Sequence, residues 1–314
     1  MNTVDYLDRW LAAGSITAAQ HSAISGIVRK QRMSVFVELN ALLYLGVLAF
    51  AGGLAWTARV YADTWGDAAI LVPATALLAA SLFYCFSRVG PYSPAKVEAP
   101  NFVFDYILYL ACLVFAAELG YVEYRFELLR TQWDDYLLGS SVLFFAAAYR
   151  FDNRFVLSLA IATLGGWFGL RISSFGLFGA TRLPAFALTY GLIVAALGVW
   201  LYRASIKQHF LDTYLHVATN VVLGALVVGA AQSSARLLWL AGLFVGVAAV
   251  VAGGIRFRRF VFIVYGVGYG YIGASSEWLR HVHGEIAVLQ YFVVSAVLVV
   301  IGLLALSRRF GRDG

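Results

Sequence analysis

The sequence predicts an all-α, polytopic integral membrane protein of ten transmembrane helices, preceded by a short cytoplasmic helical hairpin. Three observations carry that prediction. Of 314 residues, 61% are hydrophobic and 13% charged, with a mean hydropathy of +0.79, whereas a soluble domain carries about 25% charged residues. So little polar surface cannot cover a water-soluble globule, and lipid must solvate most of the chain. Ten apolar stretches, each at or near bilayer-crossing length, fill almost everything after residue 38. The cations between them alternate, many in one set of loops and few in the other.

Three regions follow: a hairpin over 1–37, a ten-helix membrane domain over 38–307 and a basic tail over 308–314. In the hairpin, Val4, Leu7, Trp10 and Leu11 recur at helical spacing and Gly14 is a natural stop. Thr17-Ala18-Ala19-Gln20 then reads as a capping box, in which Thr17 caps and Gln20 reaches back. Ile24, Ile27 and Val28 give the second helix one apolar face, and Arg29, Lys30 and Arg32 follow just before the membrane. This hairpin has two readings, an anchor at the membrane surface or a module that docks a cytoplasmic protein through residues 3–36. The opening Met1-Asn2-Thr3-Val4-Asp5 lacks a basic region followed by an apolar core, so the first span is expected to direct its own insertion.

The spans fall at 39–60, 68–87, 102–121, 136–150, 155–171, 183–202, 213–232, 236–255, 260–276 and 285–306. Most meet the length of about 17–25 residues that a tilted helix needs. The fourth is short: from Tyr136 to Tyr149 it covers roughly 21 Å at 1.5 Å per residue. Charge counting keeps it. With ten spans and the N-terminus inside, sixteen of the 23 Lys and Arg residues face the cytoplasm; deleting the fourth span leaves ten inside and thirteen outside. The positive-inside rule therefore selects ten spans with both termini cytoplasmic. The same rule explains the net charge of +6, so nucleic acid is not an expected partner and the lipid bilayer is.

Two connections stand out. Residues 88–101 hold Pro91, Pro94 and Pro100 and should be irregular. The outer connection from Tyr121 to Asp135 alternates charge with Phe126, Leu128, Leu129 and Trp133, as a short interfacial helix does. Five spans per half is an odd number, the arrangement of inverted-repeat transporters. Trp56-x-x-Arg59 and Trp200-x-x-Arg203 end the first and sixth spans alike.

Polar groups inside spans are the usual pointers to function, because lipid penalises them. This chain has few: Asp105 one turn into the third span, Glu118 near its outer end, Asn220 in the seventh and Gln290 in the tenth. No span carries a mid-membrane charge of the kind expected in a strongly ion-coupled pump. Glu118, Arg59, Arg171 and Glu277 should lie near the outer face, as a polar vestibule or as separately paired interfacial charges. The ninth span contains Tyr265-Gly266-Val267-Gly268-Tyr269-Gly270-Tyr271. Its glycines either loosen a helix beside a cavity lined by Tyr265 and Tyr269 or let a neighbouring helix approach closely. Tyr265, Tyr269, Asn220, Gln290 and Glu118 are thus the candidate cavity-lining residues.

No catalytic, cofactor or metal residues are expected. His281-x-His283 reads as loop histidines, Cys85 and Cys112 as buried apolar thiols, and no H-E-x-x-H, G-x-S-x-G, phosphate loop or Cys-x-x-Cys occurs.

The segment Trp10-Leu11-Ala12-Ala13-Gly14-Ser15-Ile16-Thr17-Ala18-Ala19-Gln20 resembles the opening of a bacterial family of membrane proteins, the domain of unknown function 2157. The glycine-rich first span, Arg150-Phe151-Asp152-Asn153-Arg154 and Trp167-Phe168-Gly169 are similar in style. The resemblance implies a multi-pass protein of the bacterial inner membrane and brings no substrate or catalytic residues. The functional expectation is transporter-like binding or translocation of a small, amphipathic solute, from the span count, the small outer loops and the ninth span. The alternative is a non-transporting scaffold or sensor whose hairpin docks a cytoplasmic partner. An intramembrane enzyme has no motif to support it.

Overall fold

The computed structural model describes residues 3–28, 36–101, 103–128, 135–174, 183–282 and 284–312. All regular structure among them is helical: α1 Thr3–Ala12, α2 Ala18–Val28, α3 Phe36–Trp65, α4 Asp67–Arg88, α5 Phe104–Phe126, α6 Asp135–Phe151, α7 Arg154–Ser174, α8 Leu183–Arg203, α9 Leu211–Gln232, α10 Arg236–Arg256, α11 Phe260–Leu279 and α12 Glu285–Arg312, with a 3-10 turn at Gln208–Phe210 before α9. Among the described residues, seven helices are long and apolar enough to cross a membrane: α3, α4, α5, α8, α9, α10 and α12. That is the mark of an integral membrane protein. α6, α7 and α11, of 17, 21 and 20 residues, fall outside that set.

Contacts divide the chain into two units. The first holds residues 1–46 and 297–314, so it contains the hairpin, the first turns of α3 and the last turns of α12. The capping box forms as its residues dictate. The Thr17 amide donates to Gln20 Oε1 at 2.8 Å and the Gln20 amide to Thr17 Oγ1 at 3.3 Å. Gly14 adopts a left-handed φ of 67°, and the Ser15 amide closes back on Trp10 O at 2.9 Å, so α1 ends where glycine permits. Asp8 and His21 join the two helices at 2.8 Å.

The second unit, residues 47–296, is a serpentine of helices in which chain neighbours run antiparallel. The pairs of touching residues show this directly. Between α10 and α11, Gly254 meets Ile263, Gly266 meets Val251, Gly270 meets Val247 and Gly273 meets Leu243. As one helix advances the other retreats, over its whole length. Between α6 and α7, Asp135 pairs with Arg171 at one end and the Asn153 amide reaches Ala148 O at the other. Small residues make these approaches possible: a Cβ on Gly198 would sit 2.5 Å from Tyr214, and one on Gly229 2.3 Å from the Trp239 ring. The main core gathers Phe104, Leu108, Phe144, Leu157, Ile161 and Tyr214 from α5, α6, α7 and α9.

Because directions alternate, the turns collect at two ends. One end carries 88–101, 152–153, 204–210 and 257–259, and so Arg88, Lys96, Arg150, Arg154, Arg203, Arg256, Arg258 and Arg259. We call it the basic end. Two details depart from the expected elements. The helix α5 runs on to Phe126, so the connection expected from Tyr121 begins later, and its residues 129–134 lie outside the described ones. The five-helix halves do not pack alike: α9 packs along α8, α10 and α11, whereas its counterpart α4 packs chiefly on α5. Among the described residues the packing does not show the inverted repeat expected from an odd span count.

Candidate functional site

The polar residues named from the sequence fall in two places. The first is the seam where α9 and α11 lie parallel. There the Tyr269 hydroxyl donates to Asn220 Oδ1 at 3.3 Å, and Asn220 Nδ2 donates to His216 O at 2.8 Å. One turn along, the His216 ring stacks on Phe262 with centroids 4.7 Å apart and meets the Tyr265 ring edge-on at 5.7 Å. Its Nδ1 is buried with no hydrogen-bond partner among the described residues. Nearer the basic end Asp212 pairs with Arg259. The seam thus unites Tyr265, Tyr269 and Asn220 and adds His216. Gln290 is not brought to it; that residue is exposed on α12. Gly266 and Gly270 of the same motif, and Gly273 just after it, face away from the seam, against Val251, Val247 and Leu243 of α10. On that face, helix packing is the reading that the geometry bears out.

The second place surrounds Glu118 on α5. Its carboxylate accepts a hydrogen bond from the Thr75 hydroxyl of α4. Beside it lies a cavity of about 290 Å³ walled by α3, α4 and α5. Phe50, Leu54, Trp65, Ile70, Leu77 and Val114 make its body apolar, and Tyr121 closes one side. Three residues along α5 from Glu118, the Tyr121 hydroxyl donates to Asp67 Oδ1 at 2.8 Å, and Arg125 bonds Asp67 at 2.9 Å and Asp63 at 3.0 Å. Glu118 therefore stands inside an apolar pocket beneath a polar roof. The other charges of the supposed vestibule are paired apart from it: Arg59 lies over the Tyr124 ring, Arg171 beside Asp135 and Arg236 on Glu277. Among the described residues these are separate contacts.

A third cluster escaped the sequence reading. At the basic end, Asp152 sits in the α6–α7 turn with a left-handed φ of 58°, its side chain 2% exposed. One oxygen accepts from the Val97 amide and from Lys207 Nζ at 2.9 Å, and the other contacts His209 Nε2. Lys207, with a side chain 1% exposed, also donates to Ala95 O at 3.2 Å and lies 5.3 Å from the centre of the Tyr92 ring. Burial alone would push the Asp152 carboxyl up; the Val97 amide, Lys207 and His209 prevail and hold it below the usual carboxylate value of 3.8. Next to it Asn153 caps α7, accepting from the Phe155 and Val156 amides at 3.0 and 2.9 Å, and donates to Asp105 at 2.8 Å. The signal in the sequence was an acid between two arginines in Arg150-Phe151-Asp152-Asn153-Arg154, and Lys207-x-His209 far along the chain.

Chemically, the Asp152 cluster clamps three turns together. The α9–α11 seam is a hydrogen-bonded contact between helices. Of these three places, Glu118 is the one that sets a carboxylate beside a pocket. Among the described residues no three His, Cys, Asp or Glu side chains gather as a metal site. Comparison with protein families, curated proteins and solved structures finds no match to this chain.

Proposed function

We propose that this is a ten-span, transporter-like protein of a bacterial inner membrane that binds a small amphipathic solute in the pocket beside Glu118. The observation that carries the reading is that pocket, apolar over its body with one carboxylate. An ionised carboxylate only accepts hydrogen bonds, and in a poorly solvated site it favours a cationic guest. Ten spans are supported by α11 lying antiparallel along the whole of α10, and by α6 and α7 pairing end to end. A helix laid along a spanning neighbour shares its depth. The gathering of cations at one end supports placing that end in the cytoplasm. The bacterial inner membrane comes from the resemblance to the domain of unknown function 2157.

Benzyltrimethylammonium, an apolar ring with a fixed positive charge, is a suitable probe. Its binding to the purified protein, followed by Trp65 fluorescence, should weaken about tenfold or more in Glu118→Gln, equivalent to at least about 1.4 kcal/mol. Ala74→Phe should block it by filling the pocket. Binding that ignores both changes rules the site out. Vesicles holding the protein should then accumulate the probe, and Glu118→Gln should abolish accumulation.

A second reading rests on the hairpin, where Tyr6 and Trp10 stay about half exposed while Leu7 is buried. A scaffold would dock a cytoplasmic protein there. Deleting residues 1–36 separates the two readings: solute binding survives in a transporter, whereas a scaffold loses its partner.

A further inference from the structure

A second apolar groove, of about 360 Å³, lies between α4 and α6 with α5 at its back. Its α4 wall is Leu78, Leu82 and Phe86. They are four residues apart and stack along one face for roughly 12 Å at 1.5 Å per residue. Ala111, Cys112 and Phe115 form the back, and Leu143, Ala146 and Ala147 belong to the far wall. Phe86, Leu143 and Ala146 are exposed, so the groove faces the surroundings of the bundle and not its core. At the basic end it closes where Phe86 meets Phe151 edge to face, centroids 5.0 Å apart. Arg150 joins the lining there.

Arg150 is anchored from behind, donating from Nη1 to Gly90 O at 3.0 Å. Among the described residues no carboxylate pairs with it. A guanidinium has five N–H donors in a fixed fork that matches phosphate oxygens; among the described residues this one makes the bond to Gly90 O and lies 5.9 Å from the Phe151 ring centre. Arg88, the last residue of α4, adds a second cation at the same level, its guanidinium 5.3 Å from the Tyr84 ring centre. An apolar trough as long as several methylenes, ending in unpaired positive charge where the helices end, has the polarity of one lipid type.

We propose that this groove binds a single anionic phospholipid, one acyl chain lying between α4 and α6 and its phosphate on Arg150. A zwitterionic lipid offers the same phosphate, but its own ammonium offsets the charge that Arg150 and Arg88 attract. This site is separate from the Glu118 pocket, whose charge has the opposite sign.

Native mass spectrometry of the full chain in mild detergent tests it, with phosphatidylglycerol and phosphatidylcholine of identical chains. The wild type should retain one phosphatidylglycerol, preferred about tenfold or more over phosphatidylcholine. Arg150→Gln should remove the preference, and Arg150→Lys should keep most of it. Ala146→Phe, at an exposed position on the groove wall, should lose both lipids while its thermal unfolding matches wild type. The proposal is overturned if Arg150→Gln keeps the preference, if the wild type holds phosphatidylcholine equally, or if Ala146→Phe still retains phosphatidylglycerol. Free glycerol phosphate displacing the lipid as well as phosphatidylglycerol does would also overturn it, by showing an anion site without a chain groove.

Discussion

Removing the Asp152 carboxylate should cost more than any other single polar substitution at the basic end. The side chains of Asp152 and Lys207 are 2% and 1% exposed, and Asp152 collects the Val97 amide, Lys207 and His209. In Asp152→Ala the Lys207 ammonium stays buried with only Ala95 O and the Tyr92 ring near it. Stranding one member of a buried pair costs about 3–5 kcal/mol. At about 2–4 °C per kcal/mol for a large domain, the midpoint of thermal unfolding should fall by about 6–20 °C. Asp152→Asn, which keeps an acceptor for Val97, should sit at the low end. Lys207→Met added to Asp152→Asn should cost less than the two changes summed, by about 0.5–3 kcal/mol. Unfolding in detergent followed by tryptophan fluorescence reads the wild type and the four variants, Lys207→Met alone included. Trypsin should also cut faster after Lys96 in Asp152→Ala, because the loop 88–101 loses its clamp. A midpoint shift of under about 2 °C together with unchanged cleavage would refute the reasoning, as would strict additivity in the double mutant.

The pH dependence follows from the same carboxyl. Its value is depressed in the folded protein, so its stabilisation is complete above the ordinary value of 3.8 and is lost as pH falls through the lower folded one. The stability gap between wild type and Asp152→Asn should thus close below about pH 4 in acid titrations. On α11, Gly266→Ala should destabilise by about 1–3 kcal/mol, since its Cβ would lie 2.5 Å from Val251, whereas Gly268→Ala meets nothing within 4 Å and should be neutral or slightly stabilising in the same melts. Thr17→Ala should cost about 1 kcal/mol, seen as faster hydrogen exchange over Ala18–His21 with the bundle amides unchanged. With Cys85 and Cys112 removed, a cysteine at Thr64 should react with an impermeant maleimide from outside intact cells and one at Ser205 should not; the reverse labelling rejects the proposed orientation.

Periodicity and caps read well because they depend on residues close in the chain. Gly14 and the Thr17–Gln20 box end and start helices where their backbone chemistry requires. The short α6 appears as Asp135–Phe151, two residues longer than the span expected at 136–150. The glycine–tyrosine motif could only be read as two alternatives, since the sequence shows that glycines and tyrosines share a helix but not which neighbour each face meets. The structure divides them: Gly266 and Gly270 meet α10, Tyr265 and Tyr269 meet α9, and Tyr271 reaches Ser295 on α12. Asp152, Lys207 and the 88–101 loop were opaque for the same reason. Every partner in that cluster is at least 55 residues from Asp152 or Lys207 in the chain or hidden in an irregular loop. Glu118 was visible as a rare acid, but its pocket depends on how α3, α4 and α5 meet.

The clamp at the basic end also bears on how the protein is made. Loop 88–101 leaves the ribosome early, yet the Val97 amide waits for Asp152, and Pro94 O and Ala95 O wait for Lys207. More than a hundred residues must be synthesised after Ala95 before its ammonium partner exists. The first three membrane helices are therefore inserted with an unfinished connection, which the translocation machinery must tolerate until α8 has been threaded. The connection between α4 and α5 gains its last contacts only once Lys207 has been made.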